Sequence, residues 1–378
     1  MDLHHLPTPC LVLDRDVLLR NTTAMAARMK RHGVALRPHM KTAKSAAVAK
    51  QATEGQAGGI CVSTVVEAGY FAARGFKDIT YAFPVVASKV DALHDIARRN
   101  GARIGLLLDD MGSAQNVAAR AQALGAAFDV QIEINSGQNR GGLAPDSPDL
   151  EPLGRVIAAS SALRLAGVLT HGGHSYDCRS AAECRAAAER ERVAIVKAAE
   201  ILRAAGLPCP QVSPGSTPTA VHAERLDGAT EMRPGNYVFF DLHQVGIGAC
   251  APEDIAVTVM ATVVGHNRSA GRLLIDAGAL ALSKDSGAND QLPGTDYGWV
   301  YDVTGTARFA DLRVARVSQE HGVIESRGVM NWDTLPVGSR VRIVPNHSCM
   351  TAAAYGHYDV VAGGTQVVDR WDRCNGWY

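Results

Sequence analysis

Two short stretches carry side chains able to do covalent or metal chemistry. In VALRPHMKTAKS, residues 34–45, an apolar run leads into His39 and Lys41. A lysine aimed inward at the end of a strand and partly desolvated loses proton affinity and becomes a Schiff-base nucleophile, whereas an exposed loop lysine does nothing of the kind. In VPNHSCMT, residues 344–351, His347 and Cys349 stand two apart. On an extended segment both point to one side, and imidazole with thiolate favours zinc over magnesium or manganese. Two protein ligands leave coordination positions open, as a catalytic metal requires; the bland alternative is a buried histidine beside a buried cysteine.

Further polar groups cluster in four loops. SPGSTPT (213–219) and PGNYVFF (234–240) combine glycines with Ser216, Thr217, Asn236 and Tyr237, and Gly235 allows close backbone approach. Such loops either bind an anion or simply turn the chain. EINSGQNRGG offers Arg140, whose guanidinium could hold an anionic oxygen or form a surface ion pair. THGGHSYD offers His171, His174 and Tyr176 for ring stacking, proton relay or a pyridine-nitrogen contact.

These residues need a scaffold that gathers them. From residue 34 to about 240, apolar β-like runs alternate with Ala-rich segments of helical spacing: VALRP, GICVS, DITYAF, RIGLLLD, FDVQIEI, LRLAGVLTH, CPQVS and ATEMRP. Eight strand-helix units predict a (β/α)8 TIM-type barrel; an open doubly wound sheet is the alternative, but no GxGxxG follows the first run. In a barrel the reacting groups follow the strands, and Lys41, Arg140, His171, Ser216 and Gly235 all do. Loops after strands seven and eight are where barrels bind phosphate, so a lysine facing them points to a phosphate-tethered aldehyde, pyridoxal phosphate.

After about residue 250 the texture becomes β-branched and turn-rich, predicting an all-β domain, and TPCLVLD (8–14) is expected to pair with it. The expected domains are 15–250 for the barrel, and 1–14 with 251–378 for the β domain carrying the metal pair. The chain of 378 residues is 47% hydrophobic and 20% charged, with 38 Lys plus Arg balancing 38 Asp plus Glu. It can bury a large core, and it lacks the basic footprint of a nucleic-acid binder. No apolar run reaches the roughly 18 residues of a membrane span, and the N-terminus lacks a signal-peptide pattern, so the expected location is cytoplasmic. The eight cysteines form no CxxC pair and read mostly as buried thiols.

In order, RPHMKTAKS, VSTVVEAGYF, EINSGQNRGG, THGGHSYD, GSTPT, RPGNYVFFD, IDAGALALS, SQEHG and VPNHSCMT resemble the D-serine dehydratase and D-threonine aldolase family. The resemblance implies the alanine racemase fold type, a pyridoxal phosphate barrel with a C-terminal β domain, and a homodimer. It implies Lys41 as the Schiff-base lysine, His347 and Cys349 as the metal pair, and Arg140, Tyr176, Thr217, Gly235 and Asn236 as cofactor contacts. His39, His171, Ser216 and Tyr237 complete the candidate cofactor site by position. Family members commonly carry histidine just after the Lys-Thr pair, where this chain has Ala43, which bears on the substrate pocket.

The implied reaction is a zinc-dependent dehydration, with Mn2+ or Mg2+ as alternative metals. A D-3-hydroxy amino acid, D-threo-3-hydroxyaspartate or D-serine, becomes a 2-oxo acid and ammonia; HSC rather than HxD at 347–349 favours this. Alternatives are a metal-dependent aldolase giving glycine and an aldehyde, a non-catalytic pyridoxal phosphate carrier, or a racemase using Tyr297 as second base.

Overall fold

The computed structural model describes residues 2–377. The chain divides into two compact units: one holds the N-terminal residues through Thr23 with Asn236–Arg373, the other Ala24–Gly235 with the residues from Cys374 onward. Among the described residues no helix is long and apolar enough to cross a membrane.

The strands, in chain order, are β1 (Cys10–Asp14), β2 (Ala35–Leu36), β3 (Ile60–Val62), β4 (Asp78–Pro84), β5 (Arg103–Leu108), β6 (Phe128–Ile134), β7 (Leu163–Thr170), β8 (Gln211–Ser213), β9 (Glu231–Met232), β10 (Val257–Asn267), β11 (Arg272–Ile275), β12 (Trp299–Tyr301), β13 (Arg308–Val317), β14 (Gly322–Ser326), β15 (Arg340–Val344), β16 (His357–Val361) and β17 (Val367–Asp372).

In the larger unit, β3 to β8 form a parallel sheet in sequence order and β2 pairs parallel with β9. The two pieces join into a ring. Cys61 N–H donates to the Pro38 carbonyl at 2.9 Å and Met40 N–H to the Cys61 carbonyl at 2.8 Å, while Thr230 N–H donates to the Val212 carbonyl at 2.9 Å. The eight expected runs are therefore the eight strands of a closed barrel, and the open-sheet alternative is excluded. Ile60, Cys61 and Val62 are fully buried, as strands covered on both faces must be. β6 keeps period-two alternation instead: Gln131 and Glu133 point to one side of the strand and Val130, Ile132 and Ile134 to the other, although all are buried. That alternation brings polar atoms into the barrel.

Side-chain caps set where the outer helices begin. Thr64 accepts the Glu67 N–H at 3.1 Å and Asp110 the Ser113 N–H at 2.7 Å, each satisfying a donor orphaned by the first turn. Gly101, at φ +58°, closes the helix Val90–Asn100 in the left-handed conformation.

The smaller unit is a nine-stranded sheet in the order β11-β14-β13-β12-β15-β10-β1-β16-β17. The segment TPCLVLD behaves as expected: β1 runs antiparallel to β10 and parallel to β16. Two single-turn helices, Ala279–Leu282 and Ser348–Ala352, interrupt the β pattern.

One buried cation ties the barrel strands together. Arg37, 5% exposed, donates from Nε to Glu231 on β9 at 2.8 Å and from both terminal nitrogens to Asp78 on β4 at 3.1 and 3.0 Å. Gly59 makes room: a Cβ there would come within 2.6 Å of the Arg37 guanidinium. Burial opposes the Arg37 charge, but Glu231 and Asp78 outweigh it and hold the guanidinium protonated. Replacing Arg37 with Met leaves the buried Glu231 without its counter-ion and is expected to cost about 3–5 kcal/mol. Arg103→Met, which removes an exposed partner of the same Asp78, is expected to cost under ~1 kcal/mol. Urea unfolding of both variants checks the difference.

Candidate active site

The C-terminal ends of the barrel strands open into a cavity of about 590 Å3, and Lys41, His39, Arg140 and His171 line it together. The segment after β2 delivers His39 and Lys41, the loop after β6 delivers Arg140, and His171 directly follows β7. The Lys41 side chain is solvent-exposed through this cavity rather than desolvated. The desolvation expected of it is thus not supplied by the polypeptide alone, because the cavity around it is wide.

Both imidazoles are held neutral. His39 Nδ1 accepts the Lys41 backbone N–H at 3.3 Å, and its Nε2 lies 3.5 Å from Ser63 Oγ. Burial lowers its pKa well below 6.5, reinforced by Lys41 and Arg233. His171 is lowered to about 3, again by burial and then by Lys41, against the opposing bond to the Gly215 carbonyl. That carbonyl, 3.0 Å from Nδ1, must face an N–H, so the His171 lone pair resides on Nε2. Arg140 is exposed and only 3.9 Å from Glu133. Burial raises the Glu133 carboxyl, aided by Asp109 and opposed by the two arginines.

The loops after β7 and β8 stand behind these groups. The Tyr176 ring lies 6.2 Å from that of His171. Ser216 and Thr217 are buried, and Ser216 Oγ already bonds Ser175 Oγ at 2.8 Å while capping the helix Thr217–His222. Gly235 passes so close to the chain leaving β2 that a Cβ would meet the His39 carbonyl at 2.8 Å. His174 is not among the residues lining the cavity.

Two functional residues escaped the sequence reading. Arg233, 4% exposed and also lining the cavity, donates from Nε to Ser213 Oγ at 2.8 Å and from Nη2 to the Thr170 and Ser213 carbonyls. Its signal was its place directly after β9. Glu191, 1% exposed on the helix Ala181–Ala204, accepts the Gly215 N–H at 2.9 Å. Burial raises its pKa against bonds from Thr219, Gly215 and Gly172, and nothing in its helical spacing marks it.

In the smaller unit, Asn236 donates to Asp241 at 2.7 Å and to Ser348 Oγ at 3.1 Å, and lies 3.8 Å from the Cys349 sulfur. Tyr237 is fully buried, which raises its pKa. The HSC segment is not extended: His347 is the N-cap of the helix Ser348–Ala352. The cause is Asp241, which accepts the Ser348 N–H at 3.0 Å and turns the chain. His347 and Cys349 still come within hydrogen-bonding reach of each other. His347 Nδ1 is bonded to Asp285 at 2.6 Å, the carboxylate–histidine arrangement that leaves Nε2 for a metal. Burial works against protonating His347, but Cys349 and Asp285 prevail and raise its pKa. Among the described residues no third His, Cys, Asp or Glu joins the pair, so a metal held there keeps open positions.

This donor set fits both candidate groups. An amine in a cavity with two guanidiniums and two neutral imidazoles suits an anionic aldehyde such as pyridoxal phosphate. A thiol beside a carboxylate-oriented imidazole suits a borderline-soft divalent metal.

Residues 13–243 match the model of the alanine racemase N-terminal domain, and residues 256–361 that of a putative serine dehydratase domain. The chain is 44% identical to D-threo-3-hydroxyaspartate dehydratase of Delftia sp. (strain HT23) over 98% of each chain. A solved structure of that dehydratase superposes with TM-score 0.95 at 42% identity, covering 100% of both chains. A cysteine-to-alanine variant of a D-threo-3-hydroxyaspartate dehydratase, solved in a metal-free form, matches with the same score. D-serine dehydratase of Dictyostelium discoideum is 31% identical over 97% of this chain and 96% of its own. D-threonine aldolase from Filomicrobium marinum is 30% identical with TM-score 0.85, covering 98% of this chain and 96% of its own.

A histidine neutral when folded but titrating at 6.5 when unfolded leaves the unfolded state with more bound protons below that pH. Its contribution to stability is then lost on acidification. With His171 near 3, the penalty reaches ~2 kcal/mol at about pH 5. Urea midpoints should fall between about pH 6.5 and 5, and fall less steeply in His171→Asn.

Proposed function

Since the chain belongs to the D-serine dehydratase and D-threonine aldolase family and is a lyase, we propose that it dehydrates a D-3-hydroxy amino acid, D-threo-3-hydroxyaspartate or D-serine, to a 2-oxo acid and ammonia. The observation that carries the reading is Lys41 lining a cationic cavity at the C-terminal mouth of the barrel, with the imidazoles of His39 and His171 held neutral beside it.

Pyridoxal phosphate bound in that cavity supplies an electron sink for a negative charge at Cα. Lys41 would hold the cofactor's aldehyde through Nζ, and the same amine would serve as the base for the substrate's Cα proton. Arg140, exposed at the cavity, would hold the cofactor's phenolic oxygen. Arg233 presents a fixed positive charge, because the Ser213 and Thr170 oxygens immobilise it. His39 and His171 line the cavity without adding charge, so Lys41 Nζ stays the basic atom there. Thr217 and Gly235, with Ser216 capping the helix Thr217–His222, would form the loops that receive the phosphate. His347 and Cys349 would hold zinc, whose Lewis acidity suits a leaving group as poor as hydroxide. The enamine left by loss of water hydrolyses to the 2-oxo acid and ammonia.

The reading carries with it a cytoplasmic homodimer acting on a small molecule, divided into a cofactor barrel (15–250) and a β domain (1–14 with 251–378). No disulfide joins the cysteines among the described residues, in keeping with a reducing compartment. The likeness to D-threonine aldolase supports a second reading, in which the hydroxyl is deprotonated and Cα–Cβ breaks.

D-threo-3-hydroxyaspartate and D-serine are expected to yield ammonia and a 2-oxo acid; glycine as sole product would establish the aldolase instead. Chelation is expected to stop turnover and zinc to restore it, with Cys349→Ala no longer responding to added zinc. Lys41→Ala is expected to lose the visible absorbance of the bound cofactor and roughly 10²–10⁴-fold in rate. Retention of that absorbance would remove Lys41 from its assigned role.

A further inference from the structure

One cation lining the cavity has no part in the chemistry above. Lys89 lies in the turn between β4 and the helix Val90–Asn100. Its Nζ is 2.9 Å from Tyr81 Oη and sits 5.6 and 5.3 Å from the ring centres of Tyr81 and Phe83. Among the described residues no carboxylate lies within ion-pair distance of it, whereas Lys44 pairs with the buried Glu67 at 3.0 Å. Arg140 has Glu133, and Arg233 is anchored to oxygens of the barrel. Lys89 is thus an ammonium held by the Tyr81 hydroxyl beside the Phe83 ring, turned to a cavity, with no carboxylate paired to it among the described residues. Aromatic faces restrain such a cation without neutralising it.

Position narrows what it answers. β2, β3 and β4 are consecutive around the barrel, so the ends of β2 and β4, which lead on to Lys41 and Lys89, are two strand spacings apart, about 10 Å. Lys41 marks where the substrate amine and Cα must bind. A group reached from the far side is one carried beyond Cα. We propose that Lys89 receives the second carboxylate of a D-3-hydroxy dicarboxylic amino acid and thereby makes the enzyme prefer that class over D-serine. The proposal rests on the dehydratase reading and names the substrate class within it.

The test uses wild-type, Lys89→Met and Lys89→Arg holoenzymes. D-Aspartate and D-alanine differ by one carboxylate and lack the leaving hydroxyl, so their binding is followed by the change in visible absorbance. Turnover is compared for D-threo-3-hydroxyaspartate and D-serine. Loss of one charge-assisted contact is expected to lower the dicarboxylate-to-monocarboxylate ratio by roughly 10- to 100-fold in Lys89→Met, in binding and in kcat/KM, chiefly through KM. Lys89→Arg, which keeps the charge, is expected to recover most of the ratio. Equal losses for both members of each pair would assign Lys89 to the α-carboxylate or to structure, and loss of cofactor absorbance in Lys89→Met would assign it to the cofactor; either overturns the proposal. If the wild type released no ammonia from either hydroxy acid, the dehydratase reading would fail, while the D-aspartate to D-alanine ratio would still report on Lys89.

Discussion

A chain of buried polar contacts runs through the barrel, and the cavity depends on it. Asp78 and Glu231 hold Arg37, Glu231 also accepts from Ser213 Oγ at 2.6 Å, and Ser213 holds Arg233, which reaches the Thr170 carbonyl. The line joins β4, β2, β9, β8 and β7. Charges in a barrel interior are costly unless every partner is in place. Complete, the line fixes how those strands stand relative to one another; incomplete, it strands an ion. Its last member is Arg233, so the orientation of one cavity-lining guanidinium is set by an ion pair several residues away.

A second buried carboxylate acts in the same way on the loops. Glu191 accepts from Gly215, while Gly172 is free of a Cβ that would lie 2.8 Å from the Glu191 carboxyl. The Gly215 carbonyl in turn fixes the tautomer of His171. Neutral imidazoles follow from this construction: burial and neighbouring cations remove the proton, and one backbone acceptor decides where the remaining hydrogen sits.

The barrel was legible because short β-like runs alternate with Ala-rich segments of helical spacing, and all eight runs became strands. Lys41, His39, Arg140 and His171 were legible because barrel geometry puts whatever follows a strand at one mouth. Arg233 and Glu191 were not, since a buried charge is recognisable only by its partners, and theirs come from strands and loops distant in sequence. The HSC segment was read as extended because period two is visible in a sequence; the Asp241 carboxylate that turns it into a helix lies more than a hundred residues earlier.

The exposure of Lys41 separates two meanings of a reactive lysine. Burial within the fold would lower its proton affinity permanently, at a cost to stability borne by the protein without its cofactor. An open cavity leaves the amine solvated until a ligand fills the space and displaces water. The neutral imidazoles and tethered arginines are then the part the fold can supply in advance. The imidazoles and Arg233 are held by carbonyls, hydroxyls and the lysine's own backbone, all within the barrel unit, whereas the exposed Arg140 faces only Glu133. In the proposed reading, desolvation of Lys41 would come with the ligand, coupling activation of the amine to occupancy of the site.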